Sequence, residues 1–496
     1  MLAMLAAGGG VAAAAKDASK AATKPAPPAP TEVEEETPAE PWREVKPEPP
    51  AAAELAAKPP APAPPPAADA APGPTDTVGF SDRLFVRSPG GEVILFPGAL
   101  VQVDGAAFPR QTPRTGLFIR RARVQLSGWL GRIFYFVASA DFAPSPPADG
   151  DPVAPSALPA TDNYVSLVPA GDRFIVQAGQ FDVPFTLENR TADAYTVFIE
   201  RAMVARSLGA PRNKDVGVMV NGLLGNGVFY YSAGVFNGDG PNFRNFDNQP
   251  DAIGRATVSP FAAGEGMFRR LTLGGSAWYG RHVQGPTFAV QATPGGLRYL
   301  APQWMTGQPA RTFQLREHGT LTAFGGELAI PFGTRFGLRG EGVYKRQQLA
   351  EADVTLADAP AAVLGTATLD GIAAYGELWL WLAGDDRMLP VPGLQLPARI
   401  DRRYRRAFED GLMVAVRGEF LKEDLISNQP TLGNPTRATT RVISGTAGVN
   451  YWRGSLARIS LNYVVNMWSG TSETIKALKA QSLLEHELLL RFQISL

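Results

Sequence analysis

The sequence contains no cysteine, which excludes disulfides, thiol chemistry and Cys-ligated metals. Its three histidines, His282, His318 and His486, are too few and too scattered for a His-based metal or catalytic site. No run of 18 or more strongly apolar residues occurs, so no helix is long and apolar enough to cross a membrane. Lysine is scarce where the chain is longest. Beyond residue 79 only Lys214, Lys345, Lys422, Lys476 and Lys479 remain, beside 36 arginines. The 47 bases balance the 47 acids, but the first 79 residues hold 6 bases and 11 acids, leaving 41 and 36 for the remainder. The larger region is therefore modestly positive, and no cofactor, resident metal or nucleic-acid partner is expected.

What is present falls into two regions. Residues 1–15, "MLAMLAAGGGVAAAA", read as the apolar and cleavage portions of an export leader that lacks its basic start, with Ala13-x-Ala15 as a cut site. Residues 16–78 are Ala, Pro, Glu and Lys, and 17 prolines fall in the first 78 positions. Proline removes backbone donors and fixes φ, so this stretch reads as a disordered, extended periplasmic linker. From residue 79 onward the pattern is one of short alternating segments between turns. Strands are expected near 92–105, 117–129, 132–142, 161–168, 172–181, 215–224, 227–237, 251–259, 268–282, 320–330, 333–346, 369–383, 409–423, 441–452, 454–468 and 485–496.

Sixteen is an even number, and the connections alternate between short and long. "GWLG", "PAGD", "LLGNG", "SPFAAGEG", "PFGT" and "WRGS" are short; between them lie long segments such as 143–160, 182–214 and 283–318. The exception is 384–408, which the alternation expects to be short. Loop lengths of this parity characterise an all-β, antiparallel up-and-down transmembrane barrel, one rim outside the cell and the other facing the periplasm. The chain ends "HELLLRFQISL", alternating to its last residue. Closure onto the first strand explains a terminal strand with no tail, and Leu496 stands where outer-membrane insertion machinery reads a terminal apolar residue. Sixteen strands enclose a lumen too wide for wall side chains alone to fill, so the polar face is expected inside and the apolar face toward outer-membrane lipid. Trp129, Tyr230, Tyr279, Trp379, Trp381, Trp452 and Trp468 lie near strand ends, as an interfacial girdle would place them.

Six stretches, "LFIRRARVQLSG" (117–128), "GQFDVPFTLENR" (179–190) followed by "FIERAMVARSLGAPRNKDVGV" (198–218), "YYSAGVFNGDGPN" (230–242), "GELWLWLAGDDR" (376–387) and "GLMVAVRGEFLKEDL" (411–425), together resemble the phosphate-selective porin O and P family of Gram-negative outer membranes. The resemblance implies a 16-stranded channel for small anions, usually a homotrimer, and gives the "RRAR" arginines Arg121 and Arg120 a place in the pore lining. By alternation alone Arg121, Arg123, Arg173, Arg255, Arg270, Arg335, Arg339, Arg417, Arg458 and Arg491 face inward. Guanidinium keeps its charge at neutral pH and offers a fork of donors to phosphate or carboxylate, so these residues read as an anion pathway. The competing expectation is that they pair with inward acids such as Glu327, Glu341, Glu377, Glu419 and Glu487 and stiffen the wall. The connection 182–214, with Arg190, Arg201, Arg206, Arg212 and Lys214, is the expected constriction loop. A general or sugar or organic-acid porin and a non-conducting structural barrel stay open alternatives. An enzyme is not expected, because no nucleophile motif accompanies the histidines.

Overall fold

In the computed structural model, residues 77–496 are described except for 81–82, 110–114, 144–159, 211–212, 243–244, 246, 284–287, 289–292, 295–296, 301–302, 307–310, 354–361, 401–408, 429–436 and 480–481. The expectations for residues 1–76, a leader and a linker, lie outside the described residues.

Sixteen antiparallel strands close into a barrel: β1 Val93–Ala107, β2 Gly116–Leu130, β3 Phe134–Asp141, β4 Ala160–Leu167, β5 Ile175–Asp182, β6 Lys214–Leu224, β7 Phe229–Phe236, β8 Asp251–Val258, β9 Thr272–His282, β10 Arg311–Phe332, β11 Phe336–Asp353, β12 Ala362–Ala383, β13 Asp410–Ser427, β14 Arg437–Arg453, β15 Ala457–Gly470 and β16 Leu484–Ser495. Each pairs with its sequence neighbour, and β16 returns to β1, from Leu488 opposite Ala107 to Ser495 opposite Leu100. The last strand therefore has no free edge over these residues, the condition for a sheet to sit in lipid. β1 runs on past the end of β16. There a hairpin of Val78–Phe80 and Leu84–Arg87 pairs with Ile94 and Leu95 and covers the protruding edge. The sequence pattern did not announce this hairpin.

The faces are inverted relative to a soluble barrel. Along β14 exposure alternates residue by residue, with Ile443 and Val449 outside and Ser444, Thr446 and Asn450 inside. Outside, Val416, Ile459, Leu461, Met467, Leu488, Phe492 and Ile494 are exposed, whereas Arg458 and Arg491, facing inward, are each 1 % exposed. On β14 the outward apolar and small residues run from Tyr451 to Ile443, about 27 Å along the strand. With the usual strand tilt this is the height of a hydrocarbon belt.

Short turns and long connections alternate as expected, and strand ends fall mostly within a few residues of the expected ones. β10–β13 are longer than expected, and the extra length lies on the long-loop side. His318 sits on β10 rather than in the expected connection 283–318, His282 ends β9, and Lys214 opens β6. The expected aromatic girdle is largely overturned. Trp129, Tyr230, Trp381, Trp452 and Trp468 point inward and are buried, and of that set Tyr279 faces lipid. An indole N–H seeks an acceptor when buried, and the interior supplies several. Trp129 donates to the Ala398 carbonyl, Trp381 to Asp386 and Trp468 to Glu485.

Val416 lies midway up the belt. Val416→Arg is expected to cost about 2–4 kcal/mol of folding free energy, read from the urea midpoint of the barrel refolded into liposomes, whereas Val416→Leu leaves that midpoint nearly unchanged.

Candidate functional site

The β5–β6 connection folds into the lumen over residues 183–210. Its apolar residues Val183, Phe185, Leu187, Met203, Val204 and Leu208 are buried. All of these except Leu187 belong to the same cluster as the inward residues Trp278, Leu321, Val343, Tyr375, Leu421 and Val442 of β9–β14. Burying this surface is the driving force for the loop to leave water. Two short helices, α1 Leu187–Arg190 and α2 Met203–Arg206, punctuate it. Thr186 caps α1, accepting from Asn189 N at 3.2 Å, in a backbone conformation (φ 65°, ψ 155°) that a β-branched residue rarely adopts.

Wall charges pin the loop backbone across the lumen. The two oxygens of Glu341 accept from Leu187 N and Glu188 N, each at 2.8 Å, and Glu419 accepts from Met203 N at 2.6 Å. From the other side, Arg458 donates to the carbonyls of Thr196 at 2.5 Å and Val197 at 3.0 Å, Arg417 to that of Glu200 at 3.1 Å, and Gln493 to that of Ala194 at 3.0 Å. These side chains satisfy main-chain groups that a loop inside a barrel would otherwise leave unpaired.

Several expected pathway arginines are thus paired off. Arg255 forms a two-pronged pair with Glu327 at 2.8 and 2.6 Å, and Arg491 one with Asp104 at 2.7 Å on both prongs. Arg339 pairs with Glu377, and Arg417 with Glu419 at 2.8 Å. Arg173, Arg270 and Arg335 do not lie in the wall. Each sits in a short connection, Arg173 and Arg335 exposed and Arg270 half-buried, because β5, β9 and β11 begin later than expected. Within the loop, Arg190 donates to the Asp182 carbonyl at 2.5 Å. Lys214 bridges Asp162 at 2.6 Å and Asp182 at 2.7 Å. Arg212 lies outside the described residues.

The remaining arginines meet at one place. Arg121 pairs with Gln102 and Ile119 with Val103, so Arg120 is an extra residue in a β-bulge of β2. Strict alternation would put neighbours Arg120 and Arg121 on opposite faces, but both reach the loop. Arg120 meets Glu200 at 3.4 Å, Arg121 meets Asp193 at 3.1 Å, Arg123 meets Asp193 at 3.2 Å, and Arg201 meets the same carboxylate at 2.8 Å. These groups are the wetter ones, with the side chains of Arg120 and Arg121 29 % and 19 % exposed. Arg206 lies over the Tyr299 ring at 5.5 Å, and its Nε and Nη1 have no hydrogen-bond partner among the described residues. Burial opposes charge on Asp193, but Arg121, Arg201 and Arg123 together hold its carboxyl well below the ordinary 3.8. Glu200 is held down against burial in the same way, chiefly by Arg120.

The over-long connection after β12 also enters the barrel, from the short-turn end. Gly393 accepts from Arg255 at 2.8 Å and donates to Thr191 Oγ1 at 3.1 Å, and Gln395 donates to Asp182 at 2.7 Å. Leu396, Ala398 and Ile400 join Phe85, Phe96, Trp129, Tyr135 and Ile175 in an apolar cluster. The length of this segment was the sequence signal, but nothing in it named a destination.

Residues 101–287 match the family model described as phosphate-selective porin O and P. No curated protein matches. Solved structures similar to this chain include the trimer form of OmpT, an outer membrane protein of Vibrio cholerae (11 % identity, 82 % of this chain and 99 % of that one, TM-score 0.45). The outer membrane channel DcaP of Acinetobacter baumannii (8 %, 83 % and 99 %, 0.46) and Salmonella typhi OmpF in complex with daunomycin (7 %, 84 % and 100 %, 0.45) are others.

Glu341→Leu strands two loop N–H groups, at a cost of about 3 kcal/mol. Faster amide exchange at 187–190 and larger single-channel current noise are the expected readings. Because Asp193 and Glu200 are depressed carboxyls, their contribution is present above their ordinary values and is lost progressively as pH falls from these through the lower folded ones. Exchange at 191–203, corrected for intrinsic rate, is therefore expected to stay flat from pH 7 to about pH 5 and to rise progressively below it.

A closed barrel with lipid-facing apolar strands and a lumen crossed by its own loop is the architecture of an outer-membrane porin, and over residues 101–287 the chain is similar to the phosphate-selective porin O and P family.

Proposed function

We propose that the protein is a passive diffusion channel favouring small anions, phosphate and other oxyanions among them, with its selective zone between β2 and the inward loop. The observation that carries this reading is the bulge-assisted gathering of Arg121, Arg123 and Arg201 around the single carboxylate of Asp193, with Arg120 beside them. Four guanidiniums, of Arg120, Arg121, Arg123 and Arg201, face three acids, Asp193, Glu200 and Asp141, which leaves positive charge where Arg120 and Arg121 keep solvent exposure. A narrow passage of one sign concentrates counter-ions. Arg206 adds two unsatisfied donors, and several weak sites in series suit transport better than one tight site. Assembly as a homotrimer and insertion through the C-terminal strand are carried over from the family resemblance as part of the same proposal.

A second reading has its own observation. The pairs Arg255–Glu327, Arg339–Glu377, Arg417–Glu419 and Arg491–Asp104 neutralise much of the wall, which favours a general porin of weak selectivity. The zero-current potential of the purified protein in a planar bilayer under a KCl gradient separates the two. The first reading expects the chloride sign, a partial block of chloride current by added phosphate, and a fall in anion preference on the order of ten-fold in R120Q/R121Q/R123Q. A potential near zero that the triple substitution leaves unmoved would establish the second, and a cation-selective potential would dispose of the first.

A further inference from the structure

The outward face of β11–β15 changes character at the long-loop end of the belt. Register places Tyr344, Ile372, Lys422, Arg441 and Ser469 in one row across these strands. The next row toward the long loops holds Arg346, Asp370, Asp424 and Thr439, with Arg437 following on β14. Four bases thus face outward against two acids. Asp424 takes Lys422 at 2.8 Å and Arg437 at 2.7 Å, and Asp370 takes Arg346 at 3.6 Å. Arg441 has no ion-pair partner among the described residues, and it stands directly opposite Lys422. Like charges in a direct cross-strand pair are destabilising, and with Asp424 already shared by Lys422 and Arg437, Arg441 is the base left without a counter-anion.

One row in the other direction the surface is lipid-like, with Phe420, Ile443 and Met467 39 %, 54 % and 50 % exposed. Beyond that row a shallow groove of about 470 Å³ crosses β12–β14, with Gly376, Gly418 and Gly445 as its floor and Leu378, Val416 and Tyr463 along it. Gly445 lies four residues from Arg441 on the same strand, about 13 Å away. A soluble anion would use the bases and leave the groove empty, whereas a lipid with an anionic headgroup spans both.

We propose that this face binds a phosphate-bearing, multiply acylated lipid of the outer leaflet. Its phosphate lies between Lys422 and Arg441, within reach of Arg437 and Arg346, and one acyl chain passes Phe420 and Ile443 into the glycine-floored groove. The bases sit where a barrel of this orientation meets the headgroups. The inference does not depend on which solutes the lumen passes.

Delipidated full-length protein in detergent, titrated with purified diphosphoryl lipid A and followed by native mass spectrometry, tests it. The expected result is retention of diphosphoryl lipid A over phosphatidylcholine. K422Q/R441Q should weaken that retention by roughly thirty-fold while bilayer conductance stays unchanged. Gly418→Leu, which keeps every charge and whose side chain enters open space, should weaken it too. Equal retention of the two lipids, indifference to K422Q/R441Q, or complete displacement by equimolar inorganic phosphate would each overturn the proposal. Heat-modifiable migration of each variant shows that the barrel has formed, so loss of binding through misfolding is told apart from loss of the site.

Discussion

Every backbone group inside a bilayer has to find its partner within the protein, and the pairing of β16 with β1 is where this chain meets that requirement. Closure fixes the rest in sequence. With no edge left over those residues, the outer face is free to be apolar. The polar alternation is then forced inward, into a space that sixteen strands make too wide for wall side chains to fill. The lumen is occupied instead by chain, in the form of the β5–β6 loop and the segment after β12. Those segments bring main-chain donors and acceptors with them, and the wall charges receive them.

The inward arginines and glutamates therefore have two employments that one residue type does not distinguish. Arg458 is nearly sealed and spends its fork on loop carbonyls and Asn450. Arg491 spends its own on Asp104. Glu341 serves as an anion-like receptor for a helix start, the role a bound carboxylate would have at a free helix N-terminus. Arg120, Arg121 and Arg123 differ in what surrounds them. They share few acids, retain solvent, and sit at the rim of the loop rather than beneath it.

The period of two and the parity of loop lengths made the barrel and the inversion of its faces legible from sequence, because both are local and repeated sixteen times. The site was less legible, for reasons that can be named. A bulge is a single extra residue, and nothing in "RRAR" marks Arg120 as that residue rather than Arg121 as an alternating one. Turn boundaries displaced by three or four positions moved Arg173, Arg270 and Arg335 out of the wall. The tryptophans were assigned to the membrane surface because strand ends are where girdles occur. Their N–H groups instead found Asp386, Glu485 and the Ala398 carbonyl, acceptors that exist only once the interior is filled. The fate of 384–400 depended on contacts with β2, β5 and β8, distant in sequence by more than a hundred residues.

The segment after β12 also makes the two ends of the passage unlike. Toward the long loops lie the guanidinium and carboxylate groups of the wall and the inward loop; toward the short turns the interior holds the buried apolar cluster of Phe85, Phe96, Trp129, Leu396 and Ile400. A polar side and an oily filling make the two halves of the interior differ in how readily water wets them.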